Sequence, residues 1–161
     1  MAPDEPPRDA LAAGLAAECA GWQALLNLLG EEERALIDGN ADRVASLNAS
    51  KLAQLQTLDE LARGRRDALR SAGHTADHAG MNAWLARQGQ SGHDASWRQL
   101  CEMEQQARAM NQRIGTLIEM RLASTRQALN VLIQAATRQS GLYDEAGQSV
   151  AASTGTPLTA A

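Results

Sequence analysis

Apolar residues recur along this chain at the three- and four-residue spacing of helices, and the longest such pattern lies toward its C-terminal end. Trp97, Glu104, Asn111, Ile118, Thr125 and Leu132 are seven apart, and Leu100, Ala107, Ile114, Arg121, Ala128 and Ala135 fill the positions between them. This spacing predicts one long helix with a heptad seam, on which Ile118 and Leu132 belong to the core. The segment holds more apolar residues than the seam uses, because Leu117, Met120, Leu122, Leu129, Val131 and Ile133 lie beside it or away from it. A surplus apolar face on a helix predicts a helical partner.

Two further long helices precede it. Pro6 and Pro7 suit a helix start, and from Arg8 to about Ile37 a seam runs through Leu15, Trp22, Leu29 and Leu36 with Cys19 and Leu26 between them. Beside it Ala13, Gly14, Ala17, Ala20, Gly21 and Ala24 form a small-residue strip that predicts close approach of another helix. Asp38-Gly39-Asn40 reads as a stop followed by an N-cap, so a second helix, Ala41 to Ala72, folds back antiparallel on the first. Its inner side is expected to be Val44, Leu47, Leu55, Leu58, Leu61, Ala68 and Leu69, and Gly73 ends it. Thr75 is expected to cap a short helix through Met81, Trp84 and Leu85, closed by Gly89, with Trp84 plugging one end of the bundle. Beyond Gln139 the composition turns to Gly, Ser, Thr and Ala, which predicts a flexible tail. The fold class is therefore all-α: an antiparallel helical bundle or coiled coil of three long helices plus one short helix over 1–139, with a flexible C-terminal tail over 140–161.

Composition narrows what such a bundle does. The 161 residues contain no Phe, one Tyr and three Trp, leaving Ala and Leu to build the core. A formal charge of -4 argues against nucleic acid. The basic cluster Arg63, Arg65, Arg66 and Arg70 has Asp59, Glu60 and Asp67 as neighbours and reads as a solvated face, as does the run Glu31-Glu32-Glu33. No apolar run is long enough for membrane insertion and the N-terminus lacks a signal peptide, so a cytoplasmic protein with reduced Cys19 and Cys101 is expected. His74, His78, His93 and Asp77 are near in sequence, but lie in a loop-like segment where histidines are ordinarily solvated. Neither a metal site nor a catalytic residue nor a cofactor is expected.

Several motifs carry a resemblance. Leu25-Leu26 to Leu36, Gly39-Asn40, Lys51-Leu52, the segment Asn111-Gln112-Arg113-Ile114-Gly115-Thr116-Leu117-Ile118, the run Gln127-Ala128-Leu129-Asn130-Val131-Leu132 and the tail Tyr143-Asp144-Glu145-Ala146-Gly147-Gln148 together resemble the FlgN-type flagellar type III export chaperones. The one departure is Ile114, where the family pattern favours Asn. The resemblance implies binding of hook-filament junction proteins through their C-terminal amphipathic segments, and delivery to the flagellar export gate. It assigns cargo binding to the face Leu117, Ile118, Met120, Leu122, Leu129, Leu132 and Ile133, export-gate docking to Tyr143, and motif positions to Asn111, Gln112 and Gly115. Asn111 on the seam is expected to set register, and Gly115 to permit close approach or a kink. The rival reading is a self-associating bundle or adaptor, a homodimer when free, whose surplus face pairs with a second copy.

Overall fold

The computed structural model describes residues 8–88 and 93–140, and among them every regular element is helical: α1 (Arg8–Asp38), α2 (Ala41–Ser71), α3 (His78–Gln88) and α4 (His93–Ser140). They fall into two compact units, one ending at Ile118 and the other beginning at Glu119. Tyr143 and the expected tail lie outside the described residues.

In the first unit, glycine punctuates the helices as anticipated. Gly39 and Gly73 adopt φ of 72° and 76°, the left-handed conformation that closes a helix without a Cβ clash. Each is followed by a reverse hydrogen bond, Asn40 N to Ala35 O and His74 N to Leu69 O, that satisfies a carbonyl of the last turn. The Asn40 side chain then accepts from Arg43 N at 3.0 Å, capping α2. The short helix begins differently from expectation. Asp77, not Thr75, accepts from Gly80 N at 2.8 Å, and Thr75 donates its hydroxyl to the Asp77 carboxylate at 2.7 Å. These bonds, Thr75 first, hold the Asp77 carboxyl below its usual range.

Two apolar clusters hold the unit. At one end Leu11 and Leu15 of α1, Leu69 of α2, Met81, Trp84 and Leu85 of α3, and Trp97 and Leu100 of α4 are buried together. Trp84 thus closes that end. Farther along, Leu25 and Leu29 meet Leu58, Ala107 and Ile114. This order makes α1 and α2 antiparallel and runs α4 alongside α1 in the same direction. Fully burying a leucine such as Leu15 or Leu69 stabilises the fold by roughly 1.5–3 kcal/mol. Ile114, the departure from the family pattern, is among the buried residues, so an Asn there would lose this packing.

Close backbone approach on α1 occurs at Gly21, not along a whole strip. A Cβ there would sit 2.9 Å from Leu58 Cδ2, and Gln54 Nε2 donates to the Gly21 carbonyl at 2.9 Å. Ala13, Ala17 and Ala20 are exposed, and a Cβ on Gly14 would meet nothing. Leu15 and Leu29 are buried as expected, and with them Leu11, Glu18, Leu25 and Glu32, whereas Cys19, Trp22, Leu26 and Leu36 are only partly buried beside them. Charge therefore sits in the seam. Glu18, 2% exposed, accepts from Arg65 Nε at 2.8 Å and from its terminal nitrogen at 3.1 Å; the guanidinium lies 4.9 Å from the Trp97 ring centroid. Glu32 receives Lys51 Nζ at 2.7 Å on both oxygens.

These pairs overturn two expectations. Within the run Glu31-Glu32-Glu33, Glu32 is not solvated: it is buried on Lys51, while Glu31 and Glu33, about 100° to either side, pair with Arg43 and Arg113 at the surface. Of the basic cluster, Arg63, Arg66 and Arg70 pair locally with Asp59 and Asp67, but Arg65 turns inward. Leu55, expected inside, is 45% exposed because Lys51 and Gln54 take the seam to reach α1.

Candidate functional site

Burial along α4 changes near Ile118. Trp97, Leu100, Met103, Ala107 and Ile114 are buried, but Ile118 is 44% exposed and Leu132 66% exposed, contrary to their expected place in the core. The cause is helix length. Glu33 pairs with Arg113, and a Cβ on Gly30 would lie 3.8 Å from Met110 Cε, so α1 and α4 run side by side with an offset of 80 residues. On that offset Asp38, where α1 stops, is level with Ile118. With 48 residues against 31, α4 is longer than either α1 or α2.

In the second unit, every side chain from Glu119 to Arg138 is exposed. The most apolar stripe here is rotated from the expected seam. Leu122, Thr125, Leu129, Leu132 and Ala136 follow one another at spacings of three and four, with Ile133 beside them. Thr125 fits the stripe because its hydroxyl donates to the Arg121 carbonyl at 2.9 Å, which satisfies its polar group locally. Met120 and Val131 lie on another side of the helix, and a shallow concavity runs past Ser124, Gln127, Ala128, Val131 and Leu132. Of the residues expected to bind cargo, Met120, Leu122, Leu129, Leu132 and Ile133 thus belong to the exposed helix, Ile118 is exposed at the end of the first unit, and Leu117 is half-buried there. Thr125 was read as a seam position and Ala136 was not singled out; from Ile118 onward the apolar spacing runs through Leu122, Leu129 and Ala136 in place of Arg121, Ala128 and Ala135.

The motif positions have milder roles. Asn111 is exposed and lines a groove of 210 Å³ with Trp22, Leu25, Leu29, Lys51, Leu55, Ala107 and Arg108, so it does not act as a buried register residue. Trp22 Nε1 is buried without a partner among the described residues. Gln112 is exposed, its carbonyl accepting from Thr116. Gly115 has open space where a Cβ would be, which removes close approach as its reason, and α4 continues through it.

The remaining reactive groups are structural. Cys19 and Cys101 are free and partly buried against the first cluster; burial, then Glu18 for the one and Glu104 for the other, pushes both thiols up, away from the thiolate needed by a nucleophile. His78 lies against Trp97 with centroids 4.9 Å apart, and its Nδ1 is 3.8 Å from Cys101 Sγ. No described helix is long and apolar enough to cross a membrane.

No curated protein matches the chain. A crystal structure of a flagella synthesis protein FlgN from Pseudomonas aeruginosa is 29% identical, covering 79% of this chain and 98% of that one, with a TM-score of 0.63. The FlgN protein family matches residues 7–151, and the chain belongs to that family.

Proposed function

We propose that this FlgN-family protein is a cytoplasmic, non-catalytic chaperone that binds the C-terminal amphipathic segments of hook-filament junction proteins and delivers them to the flagellar export gate. One observation carries the reading: Leu122, Leu129, Leu132 and Ile133 are 48–66% exposed along one side of α4. Such a face is costly to leave in water and suited to laying an amphipathic helix along it. An interface of standard size buries roughly 800 Å² on each partner, which a helix of this length can supply. Covering the cargo's own apolar stripe in this way prevents premature assembly. Tyr143, by family resemblance, is the residue that docks on the export gate.

The test is size-exclusion and calorimetry of the full chain with a C-terminal junction-protein segment. Binding that is lost in Leu122→Ser/Leu129→Ser while the helical spectrum is retained supports the chaperone. A homodimer that persists unchanged when the segment is added favours the self-associating reading. Tyr143→Ala should retain cargo binding and impair export; loss of cargo binding would remove the docking assignment.

A further inference from the structure

The slot that α3 fills is longer than α3. At its filled end Leu15 of α1, Leu69 of α2 and Trp97 of α4 surround Met81, Trp84 and Leu85, and all six are buried. α3 begins at His78, beside Cys101, and runs back from there toward His93. Two heptads farther along, fourteen residues on in α1 and α4 and fourteen back in antiparallel α2, the corresponding residues are Leu29, Leu55 and Asn111. These three line the groove of 210 Å³, and the apolar cluster beneath it draws on α1, α2 and α4 alone. Leu69 and Trp97 are 0% and 4% exposed, but their counterpart Leu55 is 45% exposed and Asn111 is exposed as well. One heptad more brings Leu36, half-buried, level with Asn48 and Ile118, both exposed. From Trp22 to Leu36 the open part is about two heptads long, roughly 21 Å of helix.

What fits the open part is read from α3 itself. It fills the slot as a short helix with Met81, Trp84 and Leu85, at i, i+3 and i+4, turned inward. The open groove offers such side chains the same kind of wall, with Trp22, Leu25, Leu29, Leu55 and Ala107. Its volume suits one or two of them, since an apolar cavity of about 150 Å³ takes up benzene. Charge does not choose the occupant, because the two cations on the lining, Lys51 and Arg108, are already engaged by Glu32 and Glu104. Shape does: Asn111, standing where Trp97 stands at the other end, leaves open the room that an indole takes there. Resting on the chaperone reading, we propose that an amphipathic helix of the cargo docks in this open half of the slot, in line with α3, with a leucine or aromatic side chain seated between Leu29, Leu55 and Asn111. This contact is additional to the exposed stripe of α4.

Calorimetry and photo-crosslinking of the full chain with the C-terminal junction-protein segment test this. Asn111→Trp returns to the empty level the side chain that Trp97 supplies at the filled one, and should plug the groove with the helical spectrum retained. Leu55→Glu sets a charge on the groove wall at a position exposed enough to tolerate it. Each should weaken the segment about tenfold or more, the loss expected when one buried leucine or aromatic side chain is shut out. Benzoylphenylalanine in place of Leu55 should capture the segment; in place of Gln105, exposed on the side of α4 opposite Ala107, it should not. Unchanged affinity in both variants, or equal capture at the two positions, would overturn the proposal. So would capture of a second copy of the chain at Leu55 that added segment does not displace, which would make the occupant the protein itself. Segment binding that responds to Leu122→Ser/Leu129→Ser but to neither groove variant sinks this inference alone; a segment that fails to bind the parent chain sinks the chaperone reading with it.

Discussion

Replacing Arg65 by alanine tests whether charge, as well as apolar burial, holds the first unit. The Glu18 side chain is 2% exposed and that of Arg65 14%, and two hydrogen bonds join them. Removing the guanidinium strands a carboxylate out of water, and breaking a buried pair in this way costs about 3–5 kcal/mol. Loss of the contact with Trp97 adds about 0.5–1 kcal/mol. Against a total stability of about 5–15 kcal/mol, the variant should lose roughly a quarter or more, lowering the urea midpoint by about 2 M at an m-value of about 2 kcal/mol/M. Urea titration followed by far-UV circular dichroism and by tryptophan emission reads this directly. A second variant separates the cost of a stranded charge from the worth of the pair: Glu18→Leu/Arg65→Met, apolar on both sides, should return to within about 1 kcal/mol of the parent. The reasoning is refuted if Arg65→Ala costs less than about 1 kcal/mol, or if the double variant is as unstable as the single one.

Other outcomes follow from the same geometry. Gly80→Ala should lower stability by about 1–3 kcal/mol in thermal melts, because the new Cβ would lie 1.8 Å from the Thr75 carbonyl oxygen and the start of α3 must shift. Ile114→Ala should cost about 2–4 kcal/mol while Leu132→Ala stays within about 0.5 kcal/mol, a contrast that chemical denaturation reads and that inverts if Leu132 is core. Since Asp77 has a lowered carboxyl in the folded state, its contribution is present above the unfolded carboxylate value near 4 and is lost as pH falls through the lower folded value; Asp77→Asn, which keeps a cap, should flatten this part of the acid limb in pH-dependent melts.

The helices and their ends were legible because local chemistry decides them: Gly39 and Gly73 have no competitor as left-handed caps, and the leucine period of α1 and α4 is strong. The cap of α3 was misread because Thr75 and Asp77 are both good capping residues, and only the placed Gly80 amide chooses between them. Seam positions were harder. Glu18 and Glu32 occupy core positions that an apolar pattern skips, and their cations lie 47 and 19 residues away, so no local window joins them. The exposed face of α4 was visible as a surplus of apolar residues, but where its seam ends depends on where α1 ends, which is a property of the packed unit. Ile118 and Leu132 were therefore assigned to the core, whereas among the described residues both are exposed.

The two buried ion pairs have a consequence for how the hairpin chooses among its own alternatives. Leucine heptads are periodic, so sliding α2 along α1 by seven residues would still set apolar rows against each other. Glu18 and Glu32 are fourteen residues apart, and so, in the reverse direction, are Arg65 and Lys51, so that both pairs close in one and the same alignment. A slip of one heptad either way would bring Glu18 opposite Leu58 or Ala72 and Glu32 opposite Val44 or Leu58, stranding two carboxylates at once. The pairs work as a two-toothed key: whatever they contribute to stability, they make the near-miss alignments of an otherwise repetitive hairpin unaffordable.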